Sequence, residues 1–161
     1  MRSLSKKTRY AFHGLVYLAA FSRGKPVPFD EILAYLRAYS QRLTLSPGYI
    51  AKIFQDVARA GFTQAASGPG GGYMLARAPE GISMVEIIEA LEGPLVAQCC
   101  LLSVGNCPRQ SRCGVRAIIH EAELAQYRVF EQETLATLAA KVEFPDPSVI
   151  QNLRSRVKPA R

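Results

Sequence analysis

Residues 46–76 constrain the fold of this chain more than any other stretch. Ser46 is a suitable N-cap, Pro47 fits the first helical position, and Gly61 fits the C-terminal end of the same helix. Between these signals the apolar side chains recur at i, i+3, i+4 and i+7, at Ile50, Ile53, Phe54 and Val57. The pattern predicts an amphipathic helix with its apolar face turned inward.

A β-hairpin is predicted directly after this helix. Two short apolar segments, residues 62–66 and 73–76, flank a run with four glycines in five residues, 68–72. So many glycines indicate a backbone that adopts positive φ or approaches another surface closely. A phosphate-binding loop is the rival interpretation, but no strand precedes the run and no helix with Lys-Ser/Thr follows it. We therefore expect the wing of a winged helix.

Two further helices are predicted before this unit. Residues 5–22 form a segment that is apolar nearly all round, and a second helix is expected over residues 29–39. Three helices followed by a hairpin predict a winged helix-turn-helix with the third helix in the recognition role. The predicted fold class is mostly α with a small β-wing, and a long C-terminal dimerisation helix.

The C-terminal half begins with a capping box, Ser83 to Glu86, which predicts a short helix. A long helix is expected from Arg112 to about Lys141, with an apolar seam at Val115, Ile118, Ala122, Ala125 and Val129. Such a seam favours a homodimer, the alternative being packing against its own domain. Beyond Phe144 no periodic apolar pattern remains. We therefore predict three segments: a DNA-binding domain (1–80), a cysteine loop with a dimerisation helix (81–141) and a flexible basic tail (142–161).

The positive charge is concentrated in the N-terminal half. The net charge is +7, and residues 1–80 hold eleven Lys or Arg against four Asp or Glu. A localised basic half indicates a polyanionic partner, most often nucleic acid, although a solvated basic surface is the alternative. Neither a membrane span nor a signal peptide is recognisable, so a cytoplasmic location is expected. The sequence shows no paired carboxylates, nucleophile–histidine pair or phosphate loop, so no enzyme activity is expected.

All four cysteines lie within fifteen residues, at Cys99, Cys100, Cys107 and Cys113. In a chain without a secretion signal, such a cluster predicts a metal or redox site. The spacing from Cys100 through Cys107 to Cys113 offers three thiolates to an iron–sulfur cluster, whereas structural zinc favours a tighter pair. Reversible thiol chemistry without metal is the alternative. A fourth ligand must come from elsewhere or from solvent, and pattern alone makes His120 a surface or seam residue and His13 a core or surface histidine.

Several motifs in this order resemble the Rrf2 family of bacterial transcription regulators. They are the basic start from Ser5 to Ala11, the helix start Leu45-Ser46-Pro47-Gly48-Tyr49-Ile50, the wing Gly68-Pro69-Gly70-Gly71-Gly72-Tyr73 and the three-cysteine loop. The resemblance covers about residues 1–140. It implies a dimeric winged helix, joined through the long helix, that binds palindromic promoter DNA. It also implies an iron–sulfur cluster whose presence or redox state changes DNA binding.

The chain departs from the family pattern in ways that affect its predicted site. Arg116 stands where cluster-assembly regulators of the family have a histidine, so that ligand is missing. Some relatives take ligands from the N-terminal helix of the partner subunit, and His13 falls where one such histidine would be. Ser67 replaces the usual wing arginine, and Ala51 replaces an acidic specificity residue. The segment between Ile32 and Ser46 is also about six residues longer than usual.

The resemblance and the residue patterns together give one predicted function, an iron–sulfur-responsive repressor. A [2Fe-2S] cluster is favoured over [4Fe-4S], with Cys100, Cys107, Cys113 and His13 as ligands. The predicted DNA contacts are phosphates for Lys6, Lys7 and Arg9, the major groove for Ser46, Gly48, Tyr49 and Lys52, and the neighbouring groove or backbone for Gly70, Gly71 and Tyr73. The alternatives are a metal-free thiol- or effector-responsive regulator and, more remotely, a small electron-transfer protein.

Overall fold

The structure is a computed structural model that describes residues 4–39, 45–95, 107 and 112–156. Within them the chain forms helices, a two-stranded antiparallel sheet and one 3₁₀ turn at Pro79–Gly81. The elements are α1 (Lys6–Phe21), α2 (Phe29–Tyr39), α3 (Pro47–Arg59), β1 (Thr63–Ala66), β2 (Gly72–Leu75), α4 (Met84–Glu92), α5 (Gly114–Glu131), α6 (Leu135–Lys141) and α7 (Pro147–Ser155). The mostly helical class with a small wing is confirmed.

The first two helices form where the sequence predicts them. Ser5 caps α1 by accepting a hydrogen bond from the Thr8 backbone N–H, and the middle of α1 is buried on most sides. Gly14 lets α1 and α3 approach closely, because a Cβ there would lie 2.5 Å from Cζ of Phe54. The core surrounds α1, is formed with α2, α3 and α4, and extends to α6 and α7.

Helix α3 has the predicted boundaries but only part of the predicted capping. Ser46 occupies the N-cap position, yet its side chain makes no capping hydrogen bond. At the other end Gly61 has φ of 82° and donates from its N–H to the Ala58 carbonyl, while Phe62 donates to the Val57 carbonyl. This pair of bonds is a Schellman motif, and its left-handed position explains the glycine.

The wing is a hairpin in which Thr63 pairs with Leu75 and Ala66 pairs with Gly72. A third backbone segment joins it, because Val27 and Tyr73 exchange hydrogen bonds of 2.8 and 2.9 Å. A Cβ at Gly72 would lie 2.0 Å from the Val27 oxygen. The close approach predicted for this glycine run is thus to the protein's own backbone.

The prediction of one long helix to Lys141 is wrong, because α5 ends at Glu131 and α6 begins at Leu135. Thr134 starts α6 with a capping box shared with Thr137. The backbone between the helices bonds to the start of α4: the Met84 N–H donates to the Glu133 carbonyl, and the Leu135 N–H to that of Ile82. These bonds hold the chain in an extended conformation that a continuous helix could not adopt.

The prediction of a flexible tail is also wrong for its greater part. Asp146 caps α7, which packs along α2 and buries Ile150 in the same apolar cluster as the N-terminal helices. Arg154 pairs with Asp30 at 2.7 Å and with Glu31 at 3.1 Å. A single buried side chain and two ion pairs leave no periodic signal in the sequence, although they hold this segment in place.

Candidate nucleic-acid interface and cysteine site

The outward face of α3 carries the predicted recognition residues. Ser46, Gly48, Tyr49 and Lys52 are all exposed, while the opposite face of the helix is buried in the core. Gln55 and Arg59 continue the exposed row from Gly48 and Lys52 at helical spacing, although the predicted site omits them. The same periodicity that identified the buried face could have found both.

The basic side chains of α1 divide into two groups. Lys6 and Arg9 are exposed, whereas Lys7 Nζ lies 2.8 Å from Oδ2 of Asp56 on α3. The other oxygen of Asp56 lies 3.0 Å from Nη1 of Arg59. The hydrogen bond from Lys7, followed by the charges of Lys7 and Arg59, lowers the pKa of Asp56 below its ordinary value. This carboxylate therefore links α1 to α3 and engages two cations.

A second contact joins the same two helices one turn further along α1. The ring of Tyr10 meets the ring of Tyr49 edge to face, with centroids 6.2 Å apart. Tyr49 is 42% exposed, so one edge is held by Tyr10 while the rest faces solvent. Its position at the start of the recognition helix is thus fixed by α1.

The wing presents its glycine-rich tip and packs its tyrosine. Gly70 is exposed with φ of 79°, and Gly71 is partly exposed beside it. The Tyr73 ring packs 4.9 Å from that of Phe54, and burial raises the pKa of this tyrosine. Its backbone is bonded to Val27 on both sides. The structure thus gives Tyr73 a packing role at the base of the wing.

The cysteine site is described only in part. Cys99 and Cys100 lie outside the described residues, while Cys107 and Cys113 are partly exposed free thiols. Cys113 occupies the N-cap of α5, and its side chain makes no capping hydrogen bond. Its sulfur stands at the helix end whose dipole favours an anionic ligand. Thiolates are the usual ligands of iron–sulfur clusters, so the described donors fit such a group.

His13 projects from α1 and is not packed in the core. Its ring lies 5.6 Å from that of Tyr39, and desolvation lowers the pKa of its imidazole. The neutral imidazole favoured in this way is the form that binds metals. Among the residues that the structure describes, no three Cys, His, Asp or Glu side chains are grouped as a metal site. The structure therefore does not bring His13 and the two described cysteines together within one chain.

Helix α5 leaves its predicted seam uncovered. None of its residues is buried, and the seam residues Val115, Ile118 and Val129 are 60–67% exposed. Tyr127 and Phe130, elsewhere on this helix, pack against the core. The described helices include none long and apolar enough to cross a bilayer.

Comparisons with known proteins agree with this geometry. The Rrf2 family, described as an iron-dependent transcriptional regulator, matches residues 4–141. The protein rrf2 of Nitratidesulfovibrio vulgaris is 31% identical over 135 residues, which cover 84% of this chain and 85% of that protein. The regulator IscR of Cereibacter sphaeroides is 42% identical over 89 residues, 55% of this chain and about half (54%) of that relative.

A solved structure extends the similarity to the fold. CymR, the global cysteine regulator of B. subtilis, superposes with a TM-score of 0.69 at 25% identity, covering 89% of this chain and 100% of that one. Its likeness includes the helical architecture with a small wing. Because the family match spans most of the sequence, the chain belongs to the Rrf2 family of transcriptional regulators.

Proposed function

We propose that this regulator is a dimeric repressor whose binding to promoter DNA responds to an iron–sulfur cluster. The observation that carries the DNA-binding part is the exposed row on α3 beside the wing. Lys52 supplies positive charge there, and Tyr49 and Gln55 supply polar groups able to reach base edges. Lys6 and Arg9 on α1 contact phosphates and set the register of the helix on the duplex.

Dimerisation through α5 follows from its uncovered seam. Three large apolar side chains exposed in a row along one helix are unusual on a monomer, and a second copy of the helix would cover them. Two recognition helices related by a two-fold axis suit a palindromic operator. The other face of α5, through Tyr127 and Phe130, fixes the dimer axis relative to the winged helix.

The cysteine loop precedes this dimer helix, and Cys107 and Cys113, with Cys100, are the proposed thiolate ligands. These sulfurs would hold the cluster, which would supply a redox-active group. His13 is proposed as the ligand contributed by the second subunit. Since a bound group shifts a conformational equilibrium only through its different affinity for the two states, the ligands must be arranged differently in the DNA-binding and non-binding forms.

Helix α1 offers a direct connection between such a ligand and the recognition helix. His13 lies one turn from Tyr10, and the Tyr10 ring contacts Tyr49 at the start of α3. One turn earlier, Lys7 bonds to Asp56 near the other end of α3. A small displacement of α1 at His13 would therefore be transmitted to both ends of α3.

The DNA-binding part is tested by Tyr49→Ala and Lys52→Ala, with Lys141→Ala as a basic control outside the winged helix. We expect both α3 variants to weaken promoter binding and the control to leave it unchanged. Unchanged binding for both α3 variants would remove the assignment of this helix.

The iron–sulfur part is tested by the visible absorption spectrum of anaerobically purified protein, before and after exposure to air. The wild type should be coloured, Cys107→Ala should bleach it without unfolding it, and Cys99→Ala should keep the colour. Colourless wild-type protein without iron would contradict the sensor.

A second function drops the metal and keeps the thiols. The described cysteines are free thiols, which supports reversible disulfide or effector chemistry at the same loop. Mass spectrometry under non-denaturing conditions distinguishes the two, because a cluster adds the mass of iron and sulfide whereas a disulfide removes two hydrogens.

A further inference from the structure

The cations on the proposed DNA-binding face are not equally available to phosphate. Among the described residues, no ion pair involves Lys6, Arg9 or Lys52, so their charges are free to meet a duplex. Lys7 and Arg59 are instead held by Asp56, the sole acid within α3. Each oxygen of this carboxylate takes one cation, so a single acid engages a basic group from each of two helices.

The position of Asp56 distinguishes this arrangement from an ordinary surface ion pair. Asp56 lies two turns after Tyr49 on the flank of α3 that faces α1, and its side chain is only 20% exposed. Lys7 follows the exposed Lys6 in the basic start of α1, and Arg59 ends the exposed row of α3. Both cations are thus next to exposed residues of the proposed DNA-binding face, and they line one open hollow with Ala90 and Leu91 of α4.

We infer that Asp56 is a specificity-determining residue, which withholds Lys7 and Arg59 from the phosphates of DNA that lacks the preferred sequence. This inference rests on the proposed DNA-binding function and deepens it. Affinity for unrelated DNA comes almost wholly from cation–phosphate contacts, whereas base contacts add affinity only on the preferred sequence. An acid that engages two cations weakens the cation–phosphate contacts and leaves the base contacts intact.

The physical reason for selectivity is that the two binding modes use the cations differently. On its preferred sequence the helix has one register: Lys6 and Arg9 meet phosphates and Lys52 faces the major groove, while Asp56 keeps its two partners. On unrelated DNA no register is fixed, so Lys7 and Arg59 would reach whichever phosphate is near if Asp56 did not hold them. Unrelated sites vastly outnumber preferred ones in a genome. Weaker binding to unrelated DNA therefore raises occupancy of the preferred site.

The test compares full-length wild type, prepared anaerobically, with Asp56→Asn, which removes the charge and keeps the shape. Two duplexes serve as probes: a random sequence of about 30 base pairs, and the sequence that the wild type selects from a randomised pool. Fluorescence anisotropy across about 50–300 mM KCl gives the affinity and its salt slope. Thermal unfolding shows that each variant is folded.

We expect Asp56→Asn to bind the random duplex on the order of tenfold more tightly, with a slope steeper by about 0.9 to 1.8, the value for one or two added phosphate contacts. Affinity for the selected duplex should change less than about threefold, because its contacts are already fixed. Asp56→Glu should restore wild-type values. Combining Asp56→Asn with Arg59→Gln should limit the slope increase to about 0.9, since one cation remains.

The matched control is Glu133→Gln, which removes one negative charge from a pair with Lys141 on α6, away from this face. It should leave both affinities and the slope unchanged. Weaker binding by Asp56→Asn, an unchanged slope, or an equal gain on both duplexes would overturn the role of Asp56. A wild type that bound neither duplex in a salt-dependent way would overturn the proposed function itself.

Discussion

Helices α3 and α5 are both amphipathic, yet they differ in whether the protein covers their apolar side chains. The inward apolar side chains of α3 are at most 2% exposed, at Ile50, Ile53, Phe54 and Val57. By contrast, none of the eighteen residues of α5 is buried. The difference is the observation that supports the proposed dimer: the apolar face of α3 is covered within one chain, and the seam of α5 is not. Substitutions in α3 should therefore change the stability of the chain, and substitutions in the α5 seam should change its assembly.

Truncation of the α3 core is the largest expected effect. Phe54 is fully buried. Its ring lies beside Gly14, where a Cβ would not fit, and packs against the ring of Tyr73. We expect Phe54→Ala to lower the free energy of unfolding by about 3–5 kcal/mol, because it removes a large side chain and leaves a cavity. Urea denaturation measures this loss, and Tyr49→Ala on the exposed face should cost less than about 1 kcal/mol. Equal losses for the two variants would contradict the division of α3 into two faces.

The α5 seam should respond in the opposite way. Ile118 is 67% exposed in the single chain, so its burial would occur only on dimerisation. We expect Ile118→Ala to weaken the dimer by about 2–4 kcal/mol, since both copies lose a buried side chain. Analytical ultracentrifugation gives the dissociation constant, and Glu131→Gln near the end of α5 is the matched control. A dimer as tight as wild type would show that the seam packs elsewhere.

The same comparison explains how much of the fold could be predicted from sequence. The winged helix depends on local signals: apolar periodicity, Pro47 at the start of α3 and the left-handed Gly61. The break before α6 depends instead on backbone bonds to a segment about fifty residues earlier. The docking of α7 depends on Ile150 packing into the core of the N-terminal helices, with Arg154 reaching Asp30 and Glu31 more than 120 residues away. Such contacts leave no periodic pattern in either segment.

The residues of the candidate site also differ in whether the sequence could predict their positions. The exposed face of α3 follows from its buried face, so the positions of Tyr49 and Lys52 were predictable. The pairing of Lys7 with Asp56 was not, because it requires the packing of α1 on α3. Tyr73 was predicted at the DNA surface from a motif, whereas its ring packs on Phe54. Residue type alone does not distinguish a groove contact from a support for the wing.

A third prediction concerns the pH dependence of stability in the core between α1 and α2. Tyr17 is buried against the ring of Tyr35, and its hydroxyl donates to Glu31 Oε1 at 2.9 Å. Burial, then the bond to Glu31, raises the pKa of Tyr17. The folded state therefore favours the neutral phenol, so its contribution is present below the ordinary pKa of about 10 and is lost as the pH rises above it.

The measurement is the free energy of unfolding between about pH 9 and pH 11 for the wild type and Tyr17→Phe. The wild type should lose up to about 1 kcal/mol more than the variant over this window, because the variant has no phenol at this position. Tyr49→Phe, at an exposed tyrosine, should follow the wild-type curve. Parallel curves for wild type and Tyr17→Phe would contradict a raised pKa at this site.

The smallest expected effect on stability concerns α7, which packs along α2. Arg154 is about one-third exposed, and its pairs with Asp30 and Glu31 are screened by solvent. We expect Arg154→Gln to cost about 0.5 kcal/mol, whereas Ile150→Ala in the same helix should cost about 2 kcal/mol through lost burial. Hydrogen exchange of the α7 amides would report the release of this helix. If Arg154→Gln lowered the free energy of unfolding more than Ile150→Ala, the ion pairs rather than the apolar contact would hold α7 against α2.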